Sequence, residues 1–308
     1  MKSVRGSVKD VVTVGGYKCA ALVARVVPSF IGQRIVSGIA PIIAKLSRKR
    51  RAMISRHLRR VNPNLTEKEV SRAATKAFDS YLRYYVESFR LPSRSAQHVD
   101  NHIRVVGYEQ IPVALEHGRG VILALPHLGG WEWAGRWVTD LGHQLTVVVE
   151  PLQPPALFEW FLSLREDLGM KVIALGPDAA AEVLKSLRNN EVVCLLCDRD
   201  IQGGGIEVDF FGETTTLPAG PTMLAMRANA PVFPTAVYFT DDIDGHSAIV
   251  RPPLDLTRRG SLREDVATAT QQLANELEVL ISHAPEQWHL FQPNWPSDTD
   301  SEITVSGD

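Results

Sequence analysis

A histidine and a glutamate five positions apart, His127 and Glu132, have the residue types that acid–base chemistry requires. They follow a short apolar run at residues 120–125, which is typical of a buried strand. Two glycines between them permit a tight turn, and a helix starting at residue 131 would place Glu132 in its first turn, where the helix dipole favours negative charge. A carboxylate bound to one ring nitrogen fixes the tautomer and makes the other nitrogen a better base. The spacing predicts that His127 is a general base partnered by Glu132; a histidine that only caps the helix is the alternative.

A second group of polar residues follows another apolar run, at residues 192–197. It contains Asp198, Arg199 and Asp200, ahead of a glycine-rich turn at residues 203–205. Ligands collect at the carboxyl ends of parallel strands, so these residues are candidates for the same site. Glu150 ends another predicted strand, and Arg165 lies on the helix after it. Taken alone, each of those two charges is more typical of a plain surface residue.

The elements that must position these residues alternate along the chain. Apolar runs predict strands at residues 120–125, 145–149, 171–175, 192–197, 232–239 and 248–250. Helical patterns lie between or after them, at residues 131–141, 156–168, 178–188 and 262–282, and a capping box at Thr66 opens an earlier helix that ends before Pro92. This alternation predicts an α/β fold with a central, mostly parallel sheet flanked by helices.

Charge is distributed unevenly along the 308 residues. Residues 1–60 contain 14 Lys and Arg and one acidic residue, whereas the remaining 248 residues contain 19 basic and 34 acidic residues. The apolar stretch at residues 11–46 is interrupted by Lys18, Arg25, Arg34 and Lys45, so no run of about 18 apolar residues could span a bilayer. We expect basic amphipathic helices on an anionic membrane surface, with helices packed on their own domain as the alternative. Nucleic acid is not an expected partner, since few aromatic residues accompany the basic ones.

These patterns divide the chain into three parts. Residues 1–60 are expected to form a membrane-associating helical segment, residues 61–296 a catalytic α/β domain, and residues 297–308 a disordered polar tail.

The three cysteines do not suggest a disulfide framework. Cys194 and Cys197 lie inside an apolar strand, which favours neither a redox pair nor a zinc site.

The two polar groups together resemble a known family. His-x-x-x-x-Glu after a buried strand resembles the signature of glycerolipid and lipid A type acyltransferases. A second block contains Cys197-Asp-Arg-Asp200, the glycine turn, Val208-Asp-Phe-Phe-Gly212 and Leu217-Pro-Ala-Gly-Pro-Thr-Met-Leu-Ala225. It resembles the lipid A late acyltransferases, most closely their phosphatidylinositol mannoside acyltransferase branch. The resemblance spans about residues 100–295 and implies a glycerolipid-acyltransferase-like fold.

The resemblance also implies roles for single residues. His127 would take a proton from a sugar hydroxyl while Glu132 holds it, and Asp200 is similar in position to an acidic residue that meets the histidine in the mannoside enzymes. Asp198 and Arg199 would flank the same cleft.

Four further residues are expected to bind substrate. Arg165 matches a family arginine that would contact the acyl donor, and Glu150 could bind sugar hydroxyls. Phe210 and Phe211 could line an acyl pocket, although aromatic residues at a strand end more often pack in the core.

The expected function is transfer of a palmitoyl-class acyl group from acyl-coenzyme A to a mannose hydroxyl of a phosphatidylinositol mannoside. We expect the chain to act peripherally at the cytoplasmic face of the plasma membrane, with acyl-coenzyme A, the glycolipid acceptor and the anionic surface as partners, and without a metal or organic cofactor. Acylation of another glycolipid or a lysophospholipid, hydrolysis, and a non-catalytic lipid-binding role remain alternatives at the level of sequence.

Overall fold

The computed structural model describes residues 8–300, and its centre is a seven-stranded sheet flanked by helices. The strands are β1 Ile103–Val106, β2 Val121–Leu125, β3 Leu145–Val149, β4 Met170–Ala174, β5 Val192–Leu196, β8 Val232–Phe239 and β9 His246–Val250. Their order across the sheet is β1-β9-β8-β2-β5-β3-β4. All neighbours are parallel except β8 and β9, which are antiparallel. The predicted α/β fold with a mostly parallel sheet is confirmed.

Each central strand contributes to two separate cores because successive side chains point to opposite faces. In β2, Ile122 packs in one core and Leu123 in the other, and all five residues of the strand are buried. One core also includes side chains of α9 Ala179–Arg188, α10 Gly220–Ala228 and α11 Leu262–Ser282. The other includes side chains of α5 Ala96–Asn101, α6 Gln110–Leu115 and α7 Trp131–Asp140. Burial on both faces explains why the strand sequences are apolar throughout.

The register of β2 and β5 determines where the polar residues meet. The two strands are adjacent and parallel, with Leu125 beside Leu196. The residues that follow them, from Pro126 and from Cys197, therefore leave the sheet at the same edge.

The basic N-terminal segment forms three helices that lie against a fourth. They are α1 Val8–Val26, α2 Ser29–Leu46 and α3 Arg48–Val61, and the fourth is α4 Glu67–Arg90. The predicted capping box of Thr66 and Glu69 opens α4. Among residues 8–300, no helix has the length and apolar character needed to cross a membrane. Residues 1–7 of the predicted membrane-associating segment lie outside the described residues.

Two features near the carboxyl edge of the sheet were not predicted. An antiparallel hairpin, β6 Ile206–Phe210 and β7 Glu213–Leu217, follows the glycine-rich turn. Residues 285–300, which follow α11, form a segment that we call the C-terminal strap. It ends in α12 Pro296–Asp300. The predicted disordered tail thus begins with helical residues, and Asp298 is fully buried. Residues 301–308 of that tail lie outside the described residues.

Candidate active site

His127 lies directly beyond β2, in a turn that docks against the C-terminal strap. Gly129 adopts a positive φ of 58°, and a Cβ added there would approach the carbonyl oxygen of Val237 within 2.1 Å. Only glycine fits this position. The backbone N–H of His289 donates to the His127 carbonyl at 2.7 Å, and that of Gly129 donates to the Gln287 carbonyl at 3.0 Å. Two backbone hydrogen bonds therefore fix the turn to the strap.

The carboxylate that pairs with His127 belongs to Asp198, at the end of β5. Its Oδ1 lies 2.6 Å from His127 Nδ1, and its Oδ2 accepts the backbone N–H of His127 at 3.0 Å. Trp288 Nε1 donates to the same Oδ2 at 2.7 Å. Burial raises the pKa of Asp198, but the facing His127 charge and these hydrogen bonds outweigh burial, so the pKa lies below its usual range. Asp198 is therefore an ionised acceptor that keeps the proton on Nδ1 and leaves Nε2 available as a base.

The predicted pairing of His127 with Glu132 is not what the structure shows. Glu132 lies in the first turn of α7, as expected, but its Oε1 accepts Arg165 Nη2 at 2.6 Å and the Tyr84 hydroxyl at 3.1 Å. The turn at Gly129 and Gly130 places the carboxylate against α4 and α8 Pro155–Glu166 rather than against the imidazole. Glu132 therefore orients two other residues that line the cleft.

Arg165 is a buried cation held by that glutamate. Its guanidinium lies 5.3 Å from the ring centroid of Trp131 and 5.8 Å from that of Phe161. Burial lowers the pKa of Arg165, but the charge of Glu132 and the contact with Tyr84 more than compensate and raise it. Its Nε is buried without a hydrogen-bond partner among the described residues, which leaves a donor for a ligand.

Asp200 also departs from its predicted position. The family resemblance implied that it meets the histidine, whereas its Oδ1 and Oδ2 accept the backbone N–H groups of Gly203 and Gly205 at 3.0 and 2.8 Å. Asp198, two residues earlier, contacts His127 because it leaves β5 directly beside β2. Asp200 still lines the cleft and fixes the glycine-rich turn at its rim.

Glu150 and Arg199 form an ion pair at the same rim, and both line the cleft as predicted. Arg199 Nη2 lies 2.8 Å from Glu150 Oε2, and Nη1 donates to Gln292 Oε1 at 2.6 Å. The pair connects the ends of β3 and β5 to the C-terminal strap.

Phe210 and Phe211 belong to the core rather than to the cleft. Phe210 is fully buried and stacks on Trp295 with ring centroids 5.7 Å apart, and Phe211 packs against Trp288 at 5.9 Å. Neither contributes to the cleft wall. The core alternative is therefore the one that the structure supports.

The cleft into which His127 opens has a volume of about 540 Å³. Around the histidine its wall is aromatic and polar, with Tyr84, Trp131 and His289. A second part of the wall is apolar; its residues are Val148, Val149, Leu152, Phe158, Leu175, Ala179, Ala180, Val183, Leu195, Met223 and Leu224. We call this apolar part of the cleft the apolar arm. The cleft thus contains a base, a buried cation and the apolar arm.

The residues of the C-terminal strap were not predicted from the sequence. Trp288 contacts Asp198, and the Asn294 side-chain amide donates to the Asp198 carbonyl at 3.2 Å. Burial and the nearby His127 charge lower the pKa of His289 to about 3, so this ring is neutral, and its Nε2 lies 2.9 Å from Ser80 Oγ. The only signal was a concentration of His, Trp and Pro at residues 285–296, which has no helical or strand period.

Comparison with known proteins gives a consistent result. Residues 15–297 match the family described as bacterial lipid A biosynthesis acyltransferase. The phosphatidylinositol mannoside acyltransferase of Mycolicibacterium smegmatis is 39% identical over 226 residues, which cover 72% of each chain. That of Mycobacterium tuberculosis is 40% identical over 227 residues, covering 72% of this chain and 70% of the relative. A lipid A biosynthesis acyltransferase of Haemophilus influenzae is 23% identical over 266 residues, covering 85% of this chain and 80% of the relative.

Proposed function

Because the chain belongs to the bacterial lipid A biosynthesis acyltransferase family and is an acyltransferase, we propose that it acylates a mannose hydroxyl of a phosphatidylinositol mannoside. The proposed donor is an acyl-coenzyme A of the palmitoyl class. The observation that carries the proposal is the His127–Asp198 pair at the mouth of a cleft with an apolar arm. The mycobacterial relatives support the acceptor, since their names specify it.

The reaction follows from the orientation of the imidazole. His127 Nε2 takes the proton of the acceptor hydroxyl while the hydroxyl oxygen attacks the thioester carbonyl carbon. The resulting tetrahedral intermediate collapses with cleavage of the carbon–sulfur bond, and the imidazolium returns the proton to the leaving thiolate. Asp198 stabilises the imidazolium between the two steps, as a buried carboxylate on the far ring nitrogen does in other acyl-transfer sites. The products are the ester and free coenzyme A.

The rest of the cleft suits the remainder of both substrates. The apolar arm would bind the acyl chain, at about 0.8 kcal/mol per buried methylene. Arg165 would contact the donor through its free Nε, and Glu150 and Arg199 would contact sugar hydroxyls at the rim. Binding the thioester and the hydroxyl side by side accounts for much of the rate enhancement. General base catalysis by His127 contributes a further factor of roughly 10²–10⁴.

We also propose that the enzyme acts peripherally on the anionic cytoplasmic face of the plasma membrane. Eleven of the eighteen large apolar side chains that are exposed among the described residues lie in α1 and α2. In α2, Ile31, Ile35, Ile39 and Ile42 form an exposed stripe, whereas Val36, Ala40 and Ala44 are buried. Arg48, Lys49 and Arg50 are exposed at the start of the next helix. An apolar stripe flanked by cations fits an anionic bilayer surface.

His127→Ala tests the catalytic assignment. The full chain is assayed with palmitoyl-coenzyme A and phosphatidylinositol mannoside, and the variant should lose about 10²–10⁴-fold in kcat. His283→Ala, which changes an exposed histidine at the end of α11, is the matched control and should keep full activity. Near-full activity of His127→Ala would contradict the base assignment. Faster acylation of a lysophospholipid, or faster release of free fatty acid, would contradict the acceptor.

A further inference from the structure

A second, polar groove adjoins the cleft and is used by no step of the reaction above. It has a volume of about 360 Å³ and lies between the β6–β7 hairpin and the C-terminal strap. Its wall contains two carboxylates, four threonines and one asparagine; these residues are Asp200, Glu207, Thr214, Thr215, Thr216, Thr299 and Asn294. Such a wall offers both donors and acceptors in a small space, and it suits a polyhydroxylated ring better than an acyl chain.

The hairpin presents one face to this groove. Glu207 on β6 is directly opposite Thr216 on β7, and Thr214 lies two residues earlier on the same face. All three side chains are exposed, whereas Val208, Phe210 and Leu217 are buried. The Glu207 carboxylate and the Thr214 and Thr216 hydroxyls have no hydrogen-bond partner within residues 8–300. These groups are therefore available to a ligand.

The opposite wall is held in place by a buried aspartate. Asp298 Oδ2 accepts the backbone N–H groups of Asn294 and Trp295 at 3.0 and 3.2 Å, and it lies 3.2 Å from His57 Nε2. Arg60 lies over the Trp295 ring at 3.9 Å from its centroid and also pairs with Asp298. A wall fixed in this way loses little conformational entropy when a ligand binds.

Asp200 connects the groove to the catalytic cleft, because it lines both. We infer that the groove binds a further sugar ring of the glycolipid acceptor, beyond the ring whose hydroxyl is acylated. The inference rests on the proposed function, since it needs an acceptor with more than one ring. The volume of the groove, about 360 Å³, lies at the lower end of the range for small-molecule pockets, roughly 300–1,000 Å³. One ring is therefore a better occupant than an extended oligosaccharide.

Acceptor length tests the inference. Initial rates are measured for phosphatidylinositol carrying one mannose and carrying two, with wild type, Thr216→Val and Glu207→Gln. Each variant should raise the KM of the two-mannose acceptor roughly five-fold, the factor for one lost hydrogen bond, and leave that of the one-mannose acceptor unchanged. Asp209→Asn is the matched control, because Asp209 shares the exposed face but does not line the groove. Equal changes for both acceptors, or no change for either, would overturn the inference.

A binding measurement separates this inference from the proposed function. Free mannobiose is titrated into the full chain and followed by saturation-transfer NMR, which needs no acyl transfer. Wild type and Asp209→Asn should bind the disaccharide, and the double variant Thr216→Val/Glu207→Gln should lose at least half of the signal. If wild type acylates neither acceptor but shows this pattern, the proposed function fails and the sugar site stands. Absence of mannobiose binding to wild type would refute the sugar site.

Discussion

The contact between His127 and Asp198 is the residue-scale feature from which the chemistry follows. The aspartate is fully buried and accepts three hydrogen bonds, two of them from His127 itself. A carboxylate so held determines which ring nitrogen carries the proton, and it stabilises positive charge on the ring during catalysis. It also explains why Glu132, which is closer in sequence, is not required next to the imidazole.

Asp198→Asn tests this role with little change in shape. The amide can still occupy the site, but it cannot stabilise the imidazolium and can present its NH₂ group to Nδ1. We expect kcat to fall on the order of 10³–10⁴-fold, with the KM for the acyl donor little changed. Steady-state kinetics on the folded variant, checked by circular dichroism, measure both constants. A fall of less than ten-fold would show that the carboxylate is dispensable.

His289 makes a residue-scale prediction about pH. Its pKa is lowered to about 3 in the folded protein by burial and by the nearby His127 charge, whereas an unfolded histidine titrates near 6.5. As the pH falls, His289 is therefore protonated in the unfolded chain before it is protonated in the folded protein. Its contribution to the free energy of unfolding is fully present above pH 6.5 and is lost as the pH drops toward 3. Between pH 7 and pH 5, this residue alone should cost roughly 2 kcal/mol. Urea unfolding of wild type and His289→Gln at both pH values measures this difference. Between pH 7 and pH 5, the free energy of unfolding should fall by about 2 kcal/mol less in the variant than in wild type. An equal fall in both proteins would contradict the prediction.

At the scale of elements, the alternation of strands and helices was visible in the sequence because buried strands are apolar on both faces. The candidate histidine was also predictable, since it follows such a strand. Its partner was not: β2 and β5 are separated along the chain by three helices and two strands, and only their adjacency in the sheet brings Asp198 to His127. The hairpin β6–β7 was missed because each strand has five residues, with Thr and Glu on its outer face.

The exposed stripe of α2 gives an element-scale prediction. Replacing Ile35 and Ile39 by aspartate adds negative charge to a face that is already solvent-exposed, so folding should be unaffected. Binding to vesicles containing anionic phospholipid should fall at least ten-fold, because apolar area is lost and the new charges are repelled. Co-sedimentation measures the bound fraction. Val279→Asp, on the exposed face of α11, is the control and should bind as wild type does; equal binding by the α2 variant would exclude this stripe as the contact surface.

At the scale of the whole molecule, the C-terminal strap connects the basic helices to the catalytic pair. At one end, Asp298 is bound by His57, Arg56 and Arg60 of α3. In its middle, Trp288 and Asn294 contact Asp198. Helix α3, whose first residues are among the cations proposed to contact the membrane, and the base proposed to act on a lipid are thus parts of one hydrogen-bonded structure. A segment without helical or strand periodicity gave no sign of this in the sequence, because the order of the strap comes from its long-range partners.

Asp298→Ala tests whether the strap transmits order from α3 to the active site. The substitution removes the partner of buried His57 Nε2 and one of the two carboxylates that bind Arg60, the other being Glu213. The backbone N–H groups of Asn294 and Trp295 lose their acceptor as well. Loss of one partner of a buried ion pair costs about 3–5 kcal/mol, which urea unfolding should detect. If the strap also positions Asp198, kcat should fall even without urea, where the variant is folded. Thr268→Ala, at an exposed position of α11 that lines neither the cleft nor the groove, should change neither quantity. A variant that is destabilised but has unchanged kcat would show that the strap supports the fold without orienting the catalytic pair.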